Sequence, residues 1–139
     1  MAEFRPTHAP APVGAYPHAR RVGDFLYLSG VGPRQADSNE IPGNRYEKDG
    51  TLHSYDIEAQ THAVLQNVRL ILQQCGARWE DLVDITVFLT DMRRDFERFN
   101  RIYGQYFTSH QPCRTTVEVG ALPTPIAIEL KCIAYLEST

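Results

Sequence analysis

The chain has 139 residues, 42% of them hydrophobic and 22% charged, which is close to the average composition of soluble globular domains. This length excludes two well-packed domains and predicts a single domain over residues 1–139. Since 17 Asp and Glu residues outnumber 14 Lys and Arg residues, the net charge of −3 excludes the broad positive field that attracts nucleic acid or anionic lipid.

The sequence lacks motifs for membranes, disulfides and metals. No apolar run approaches the roughly 18 to 20 residues of a membrane span, and residues 1–12 contain no signal-peptide-like stretch. The three cysteines form no C-x-x-C pair, and the five histidines show no H-x-x-x-H spacing and are expected at the surface. We therefore expect a cytoplasmic protein with reduced thiols, no metal site and no membrane partner.

The chain begins with an extended arm and a β-hairpin. We expect residues 1–17 to form the arm, with regular structure beginning after it, because its prolines lack a backbone donor and fix φ. A turn at Gly23 and Asp24 precedes an alternating stretch that predicts a strand, with Leu26 and Leu28 on one face. The prolines of the arm are Pro6, Pro10, Pro12 and Pro17.

A long loop and a helix follow the hairpin. Residues 33–53 are polar and carry Pro and Gly without periodicity, which predicts a loop of a length often found in lids and binding segments. From Ser54 to Cys75 apolar residues recur at helical spacing. We expect Ser54 to be the N-cap of this helix, Asp56 to lie in its first turn and Gly76 to follow its end.

The second half of the chain predicts a strand, a helix and two further strands. Residues 82–90 alternate with period two, which places Val83 on the buried face. Asp91 can cap a helix that runs to about residue 108, with its aromatic residues on one side. Two strands, residues 114–121 and 126–136, are joined by a proline-rich turn.

This order of elements predicts an α+β fold in which both helices pack on one face of a mixed sheet. The opposite face would be too apolar to remain wet and too charged for a sealed core, so we expect subunits to associate through it. The residues expected on this face are Phe25, Tyr27, Thr86, Phe88, Arg114, Thr116, Glu118, Glu129 and Ile133.

Two charged residues on neighbouring strands are candidates for chemistry. Alternation places Arg114 and Glu129 on the same face, where they could share a pocket, although a cross-strand salt bridge is the commoner outcome for such a pair. Cys113 lies beside Arg114, whose charge could favour a nucleophilic thiolate, but a lone cysteine is more often a packed residue. An isolated Tyr16 is likewise more often a packing aromatic.

Four segments in order resemble a known family. They are G-A-Y at 14–16, F-L-Y-L-S-G at 25–30, T-V-F-L-T-D at 86–91 and C-R-T-T-V-E-V-G-A-L-P at 113–123. Over about residues 14–135 the chain is similar to the RidA (YjgF-type) reactive-intermediate deaminases. The resemblance implies a chorismate mutase-like fold and a homotrimer, with a barrel of sheets and active sites at the clefts between subunits.

The resemblance also implies roles for individual residues. Arg114 would hold the substrate carboxylate through its planar fork, Glu129 would position or activate the attacking water, and Tyr16 would line the same cleft. No metal or organic cofactor is implied. The substrate-binding positions that the family pattern implies are Ser29, Gly30, Phe88, Asn100 and Cys113.

Two variant stretches resemble the 2-aminomuconate deaminase branch of the family. They are A-Y-P-H at 15–18 and S-G-V-G-P-R at 29–34. Such an enzyme hydrolyses 2-aminomuconate, an extended dicarboxylate, to 4-oxalocrotonate and ammonia during aromatic breakdown. A generalist deaminase of 2-iminobutanoate or 2-iminopropanoate, and a non-enzymatic carboxylate-binding or chaperone-like trimer, are the alternatives. One basic residue of the long loop could hold the distal carboxylate, the candidates being Arg34, Arg45, Lys48 and His53.

Overall fold

The structure is a computed structural model that describes residues 2–137 and places two helices on one face of a six-stranded sheet. The strand order is β1-β2-β3-β8-β6-β7, and all neighbours are antiparallel except β6 and β7, which confirms the predicted mixed sheet. Strands β4 and β5 form a separate hairpin. The elements are β1 (Ala2–Phe4), β2 (Ala19–Val22), β3 (Phe25–Leu28), β4 (Arg45–Tyr46), β5 (Leu52–Ser54), α1 (Ile57–Gln74), a 3-10 turn (Trp79–Asp81), β6 (Leu82–Leu89), α2 (Met92–Tyr106), β7 (Cys113–Glu118) and β8 (Ile128–Tyr135).

The core lies between the two helices and the sheet face that they cover. As predicted, Leu26 and Leu28 of β3 point into it and are fully buried. They meet apolar side chains of β8 and α1, among them Leu130 and Leu65, while Phe99 anchors α2. Each such side chain contributes about 1.5 to 3 kcal/mol by leaving water, so this layer holds the sheet and helices in register.

Helix α1 begins two residues later than predicted. Ser54 ends β5, and the N-cap is Asp56, whose carboxylate accepts hydrogen bonds from the backbone N–H groups of Glu58 and Ala59. Asp56 is extended, with φ −115°, so its side chain can fold back onto the first turn. Asp91 caps α2 as predicted, and α2 ends at Tyr106 rather than at residue 108.

Three predictions about the remaining elements need correction. Residues 2–4 of the arm form β1, because they precede the first proline and keep the donors that pair with β2. The predicted loop over residues 33–53 contains the β4-β5 hairpin, whose turn uses Gly50 at φ +90°. A bulge between Leu82 and Asp84 shifts the start of β6, so that Leu82 is buried and Val83 is exposed.

The uncovered face of the sheet is strongly apolar. Phe25, Tyr27 and Tyr135 are each about 40% exposed there, and Val117 of β7 is exposed on the same face, next to Phe88 of β6. The positions predicted for this face are confirmed on β3, β6 and β8, but Arg114, Thr116 and Glu118 lie on the helix side. The register explains this: those three residues pair with Ile85, Val87 and Leu89, which are all buried beneath the helices.

No helix within residues 2–137 combines the length and apolar character that crossing a bilayer requires.

Candidate functional site

A cleft of about 90 Å³ lies between the N-terminal arm and the sheet, with room for several water molecules. It brings together five of the residues singled out in the sequence, Tyr16, Ser29, Gly30, Arg34 and Glu129. The arm supplies one wall with residues 10–13 and Tyr16, and the opposite wall comes from the segment after β3 and from β8. A small ligand would therefore contact both the arm and the sheet.

The carboxyl group of Glu129 lies directly against the backbone of Gly30. A Cβ atom at position 30 would lie 2.8 Å from Oε2 and 2.9 Å from Cδ of Glu129, closer than such contacts can be. Glycine is needed here for close approach. Two reciprocal backbone hydrogen bonds between Val31 and Leu130, of 2.8 and 2.9 Å, hold the two segments together at this point. The position of the carboxyl group is thus set by the backbone that it touches.

Glu129 has the electrostatic character of an acid-base group. It is half-buried, and the described residues donate no hydrogen bond to its carboxyl oxygens. Burial raises the pKa of Glu129 above its ordinary value because desolvation disfavours the charged form. Such a carboxyl group keeps its proton to higher pH and can exchange it with a bound molecule.

Three side chains attach the arm to the cleft. The Ser29 hydroxyl donates to the Pro17 carbonyl at 2.7 Å, and the His18 ring contacts the Pro10 carbonyl at 2.7 Å. The Arg34 guanidinium donates to the Ala11 carbonyl and to Oδ1 of Asn39. All three lie in the lining of the cleft, so the same side chains shape the site and hold its outer wall.

Arg114 occupies a second site under α2. Its guanidinium donates to Oδ1 of Asn100 at 2.9 Å and lies 4.7 Å from the ring centroid of Tyr103 and 5.4 Å from that of Phe99. Burial raises the pKa of Tyr103 to about 12, so this ring stays neutral beside the cation. The guanidinium lies at a shallow pocket lined also by Phe107 and Pro112.

The structure contradicts the expectation that Arg114 and Glu129 share one face. Glu129 pairs with Phe88 on the uncovered face, whereas Arg114 pairs with the buried Ile85 on the helix side. Within residues 2–137 they form neither a salt bridge nor a common pocket. Alternation defines two sets of residues in β7 but does not say which set faces the helices, and here the more apolar set, Cys113, Thr115 and Val117, lies on the uncovered face.

The remaining candidates are spread over the molecule. Phe88 is next to Glu129 on the uncovered face, and Cys113 is exposed on the same face, level with Asp84. Arg34 is part of the cleft, whereas Arg45, Lys48 and His53 belong to the β4-β5 hairpin and its turn and do not line it. Among residues 2–137, no three His, Cys, Asp or Glu side chains lie close enough together to share a metal ion.

Sequence reasoning missed His18 as a component of the cleft. Its spacing predicts a surface position like that of the other histidines, but it is 8% exposed. The variant A-Y-P-H stretch contained the relevant signal, because His18 lies between the last proline of the arm and the first buried residue of β2. Burial at that junction depends on where the arm folds back, which is a tertiary property.

Comparison with known proteins identifies relatives along almost the whole chain. The family model described as Endoribonuclease L-PSP matches residues 6–136. A RutC family protein of Pyrococcus abyssi is 37% identical over 129 residues, covering 93% of this chain and 92% of the relative. Reactive Intermediate Deaminase A, chloroplastic, of Arabidopsis thaliana is 38% identical over 128 residues, covering 92% of this chain and 62% of its own length.

Solved structures agree with this assignment. The crystal structure of the YjgF gene product from E. coli matches with a TM-score of 0.83 and 31% identity, over 97% of this chain and 98% of the other. The α+β fold is therefore the chorismate mutase-like fold of the YjgF structures. With the family model and the relatives in agreement, the chain belongs to the Endoribonuclease L-PSP family, which includes the RutC proteins and reactive-intermediate deaminase A.

Proposed function

We propose that the protein is a cofactor-independent deaminase that hydrolyses 2-aminomuconate to 4-oxalocrotonate and ammonia. The observation that carries the proposal is the presence of Glu129 and Arg34 in the same cleft. One is a carboxyl group with a raised pKa, suited to proton transfer, and the other is a cation suited to binding a carboxylate. Membership of a family that includes a reactive-intermediate deaminase supports the reaction class.

The reaction needs little beyond orientation and proton transfer. The enamine tautomerises to the 2-imino acid, water adds to the imine carbon, and collapse of the adduct expels ammonia. One water is consumed and one ammonia released per turnover. Glu129 would position the water, accept its proton and return a proton to the leaving nitrogen. General acid-base catalysis is typically worth about 10² to 10⁴-fold, which suffices for imines because they already hydrolyse spontaneously.

The role proposed for Arg114 requires more than one chain. Arg114 would bind the carboxylate next to the imine, yet it lies on the opposite face of the sheet from Glu129. Two different patches that must meet between copies make a heterologous interface, and such an interface forms a ring when the rotation from one copy to the next closes. We propose a homotrimer in which Arg114 of one chain completes the Glu129 cleft of the next, with the apolar sheet face buried between them.

Arg34 is the residue proposed to hold the distal carboxylate. A guanidinium group has five N–H donors, and the bonds to Ala11 and Asn39 use two of them. Asn67 fixes the base of the Arg34 segment by donating to the carbonyls of Gly32 and Arg34, each at 2.9 Å. The side chain therefore starts from a rigid backbone and retains donors for a ligand.

A generalist deaminase of short 2-imino acids is the second candidate. The cleft within one chain is small, which favours a short substrate such as 2-iminobutanoate or 2-iminopropanoate. The name of the Arabidopsis relative, a reactive-intermediate deaminase, fits this candidate equally well. Both candidates use Glu129 and Arg114 in the same way and differ in the need for Arg34.

The deciding experiment measures ammonia release from freshly generated 2-aminomuconate and from 2-iminobutanoate, each against its spontaneous rate. Wild-type protein is compared with Arg34→Ala, and Arg45→Ala is the matched control because Arg45 is a loop arginine that does not line the cleft. We expect Arg34→Ala to raise KM for 2-aminomuconate at least about tenfold, the typical effect of losing a charge-assisted bond, and to raise KM for 2-iminobutanoate far less, through the lost contact with the arm alone.

Other outcomes separate the candidates. Preference for the short imine with no effect of Arg34→Ala would assign the generalist activity. No acceleration of either substrate would assign the non-enzymatic, carboxylate-binding alternative. If the protein is a deaminase, Arg114→Ala should abolish turnover and Glu129→Ala should slow it greatly. A near-normal rate in either variant would show that the substituted residue has no part in the mechanism.

A further inference from the structure

His18 lies at the base of the arm with its backbone held rigidly. Its N–H donates to the Phe4 carbonyl at 2.9 Å, and its carbonyl accepts from the Ser29 N–H at 2.9 Å. These bonds extend the pairing of β2 with β1 on one side and with β3 on the other by one residue, to His18. The imidazole ring therefore projects from a fixed point of the sheet, and only the arm that folds over it can move.

The ring makes one hydrogen bond, and the chemistry of the partner defines its direction. Nε2 lies 2.7 Å from the Pro10 carbonyl, and because a carbonyl only accepts, Nε2 must carry the proton. Nδ1 is buried and has no hydrogen-bond partner among residues 2–137. Among residues 2–137, the contact with Pro10 is thus the only hydrogen bond of the His18 side chain, and the residue is more than nine-tenths buried.

Apart from Ala9, which is buried in the core, the arm has few other means of attachment. Its prolines remove backbone donors, and residues 5–17 belong to no strand. Three of its carbonyls accept from side chains of the cleft, Pro10 from His18, Ala11 from Arg34 and Pro17 from Ser29. His18 is the buried member of these three donors, and a hydrogen bond shielded from water is the stronger one.

We propose that His18 is a positioning residue that latches the arm over the cleft. By holding the Pro10 carbonyl, His18 fixes how far residues 10–13 and Tyr16, the outer wall of the cleft, lie from the sheet. A ligand that contacts both the arm and the sheet binds the latched state better and therefore stabilises it. The proposal rests on the proposed function in one respect: the ligand is taken to be a carboxylate that resembles the proposed substrate.

The test measures detachment of the arm by elastase, which cleaves after small aliphatic residues, at the bond between Val13 and Gly14. Cleavage of a transiently opened segment tracks the population of the open form. His18→Leu removes the donor and should speed cleavage about tenfold, the equivalent of one hydrogen bond. His18→Gln places an amide N–H at a similar reach and should return cleavage close to the wild-type rate.

The matched control is His110→Leu. His110 makes the same kind of bond, from Nε2 to the Leu82 carbonyl at 2.6 Å, away from the cleft. It should leave arm cleavage unchanged. Ser29→Ala, which removes the donor to Pro17, gives a second variant with the expected direction of His18→Leu should the latter fail to fold. A wild-type cleavage rate in folded His18→Leu would overturn the latch, and so would a wild-type rate in Ser29→Ala if His18→Leu does not fold.

Ligand and activity measurements complete the test. Muconate, a dicarboxylate without the amino group, should slow arm cleavage of wild-type protein, and an absence of protection would contradict the arm as a wall of the site. His18→Leu should raise KM for ammonia release more than it lowers kcat, with rescue by His18→Gln. If wild-type protein releases no ammonia, the proposed function fails, while the cleavage rates still decide the role of His18.

Discussion

At the scale of single residues, the cleft depends on the absence of a side chain at Gly30. We expect Gly30→Ala to displace the Glu129 carboxyl group, because the new Cβ would lie 2.8 Å from Oε2. A displacement of about 1 Å can cost up to about 10²-fold in rate, so kcat for ammonia release should fall at least about tenfold. Gly120→Ala is the control, since a Cβ added there would meet no atom within 4 Å beyond its chain neighbours. Equal activities of the two variants would show that the close contact is unimportant.

Glu129 is also a source of instability that the fold tolerates. Because burial raises its pKa, the folded chain binds the proton more tightly than the unfolded chain does. Proton binding therefore favours the folded chain. This contribution to the free energy of unfolding is fully present below the unfolded-state pKa of Glu129. It is lost as the pH rises through the folded-state pKa, above which a half-buried carboxylate remains. Glu129→Gln removes that cost, so stability should rise at the expense of activity.

The measurement is the melting temperature of wild-type protein and Glu129→Gln as a function of pH. At about pH 8 the variant should melt higher, and the difference should shrink towards zero at about pH 4, where an ordinary Glu is largely protonated. A difference that is the same at both pH values would assign the stabilisation to packing rather than to the charge.

At the scale of elements, the N-cap of α1 can be tested by comparing Asp56, which caps the helix in the structure, with Ser54, which the sequence predicts as the cap. Asp56→Ala should destabilise the protein by about 0.5 to 2 kcal/mol, because its carboxylate satisfies the N–H groups of Glu58 and Ala59. Ser54→Ala should change stability far less, since Ser54 belongs to β5 and its side chain makes no hydrogen bond to the first turn of α1. Denaturant titrations of both variants provide the comparison, and a larger loss for Ser54→Ala would contradict the cap seen here.

Strand β7 shows how far patterning can predict a site. Its period of two is visible in the sequence, but the more apolar set of residues, which contains Val117, faces away from the helices, and the polar set with Arg114 faces them. The pairing of Arg114 with Ile85 settles the matter, and it depends on parallel contact with β6. Helices α1 and α2 were predictable because each has one apolar face, whereas the phase of an edge strand depends on its neighbours.

At the scale of the whole molecule, the separation of Arg114 from Glu129 makes a prediction about assembly. In the proposed ring of three chains, each site takes Arg114 from one chain and Glu129 from the next. Alone, Arg114→Ala should be inactive and Glu129→Ala should retain only a small residual activity. Refolded together in equal amounts, they should recover about one quarter of wild-type activity, since mixed rings each contain one intact site.

The control replaces the Glu129→Ala chain by a chain that carries both substitutions. No ring then contains Arg114, so mixing should restore no ammonia release. Recovery only in the first mixture requires sites shared between chains, and size-exclusion chromatography with light scattering checks that both mixtures assemble alike. No recovery in the first mixture, with normal assembly, would overturn the shared cleft.

The amino-acid sequence by itself determined the two helices, the strands β2, β3, β6, β7 and β8 and the mixed α+β sheet, because periodicity, caps and turns are local properties of the chain. It also pointed to Tyr16, Gly30 and Glu129 through their motifs. The tertiary structure alone decided that Arg114 faces the helices and that His18 is buried beneath the arm. Both depend on contacts between segments distant in the chain, which no local pattern encodes.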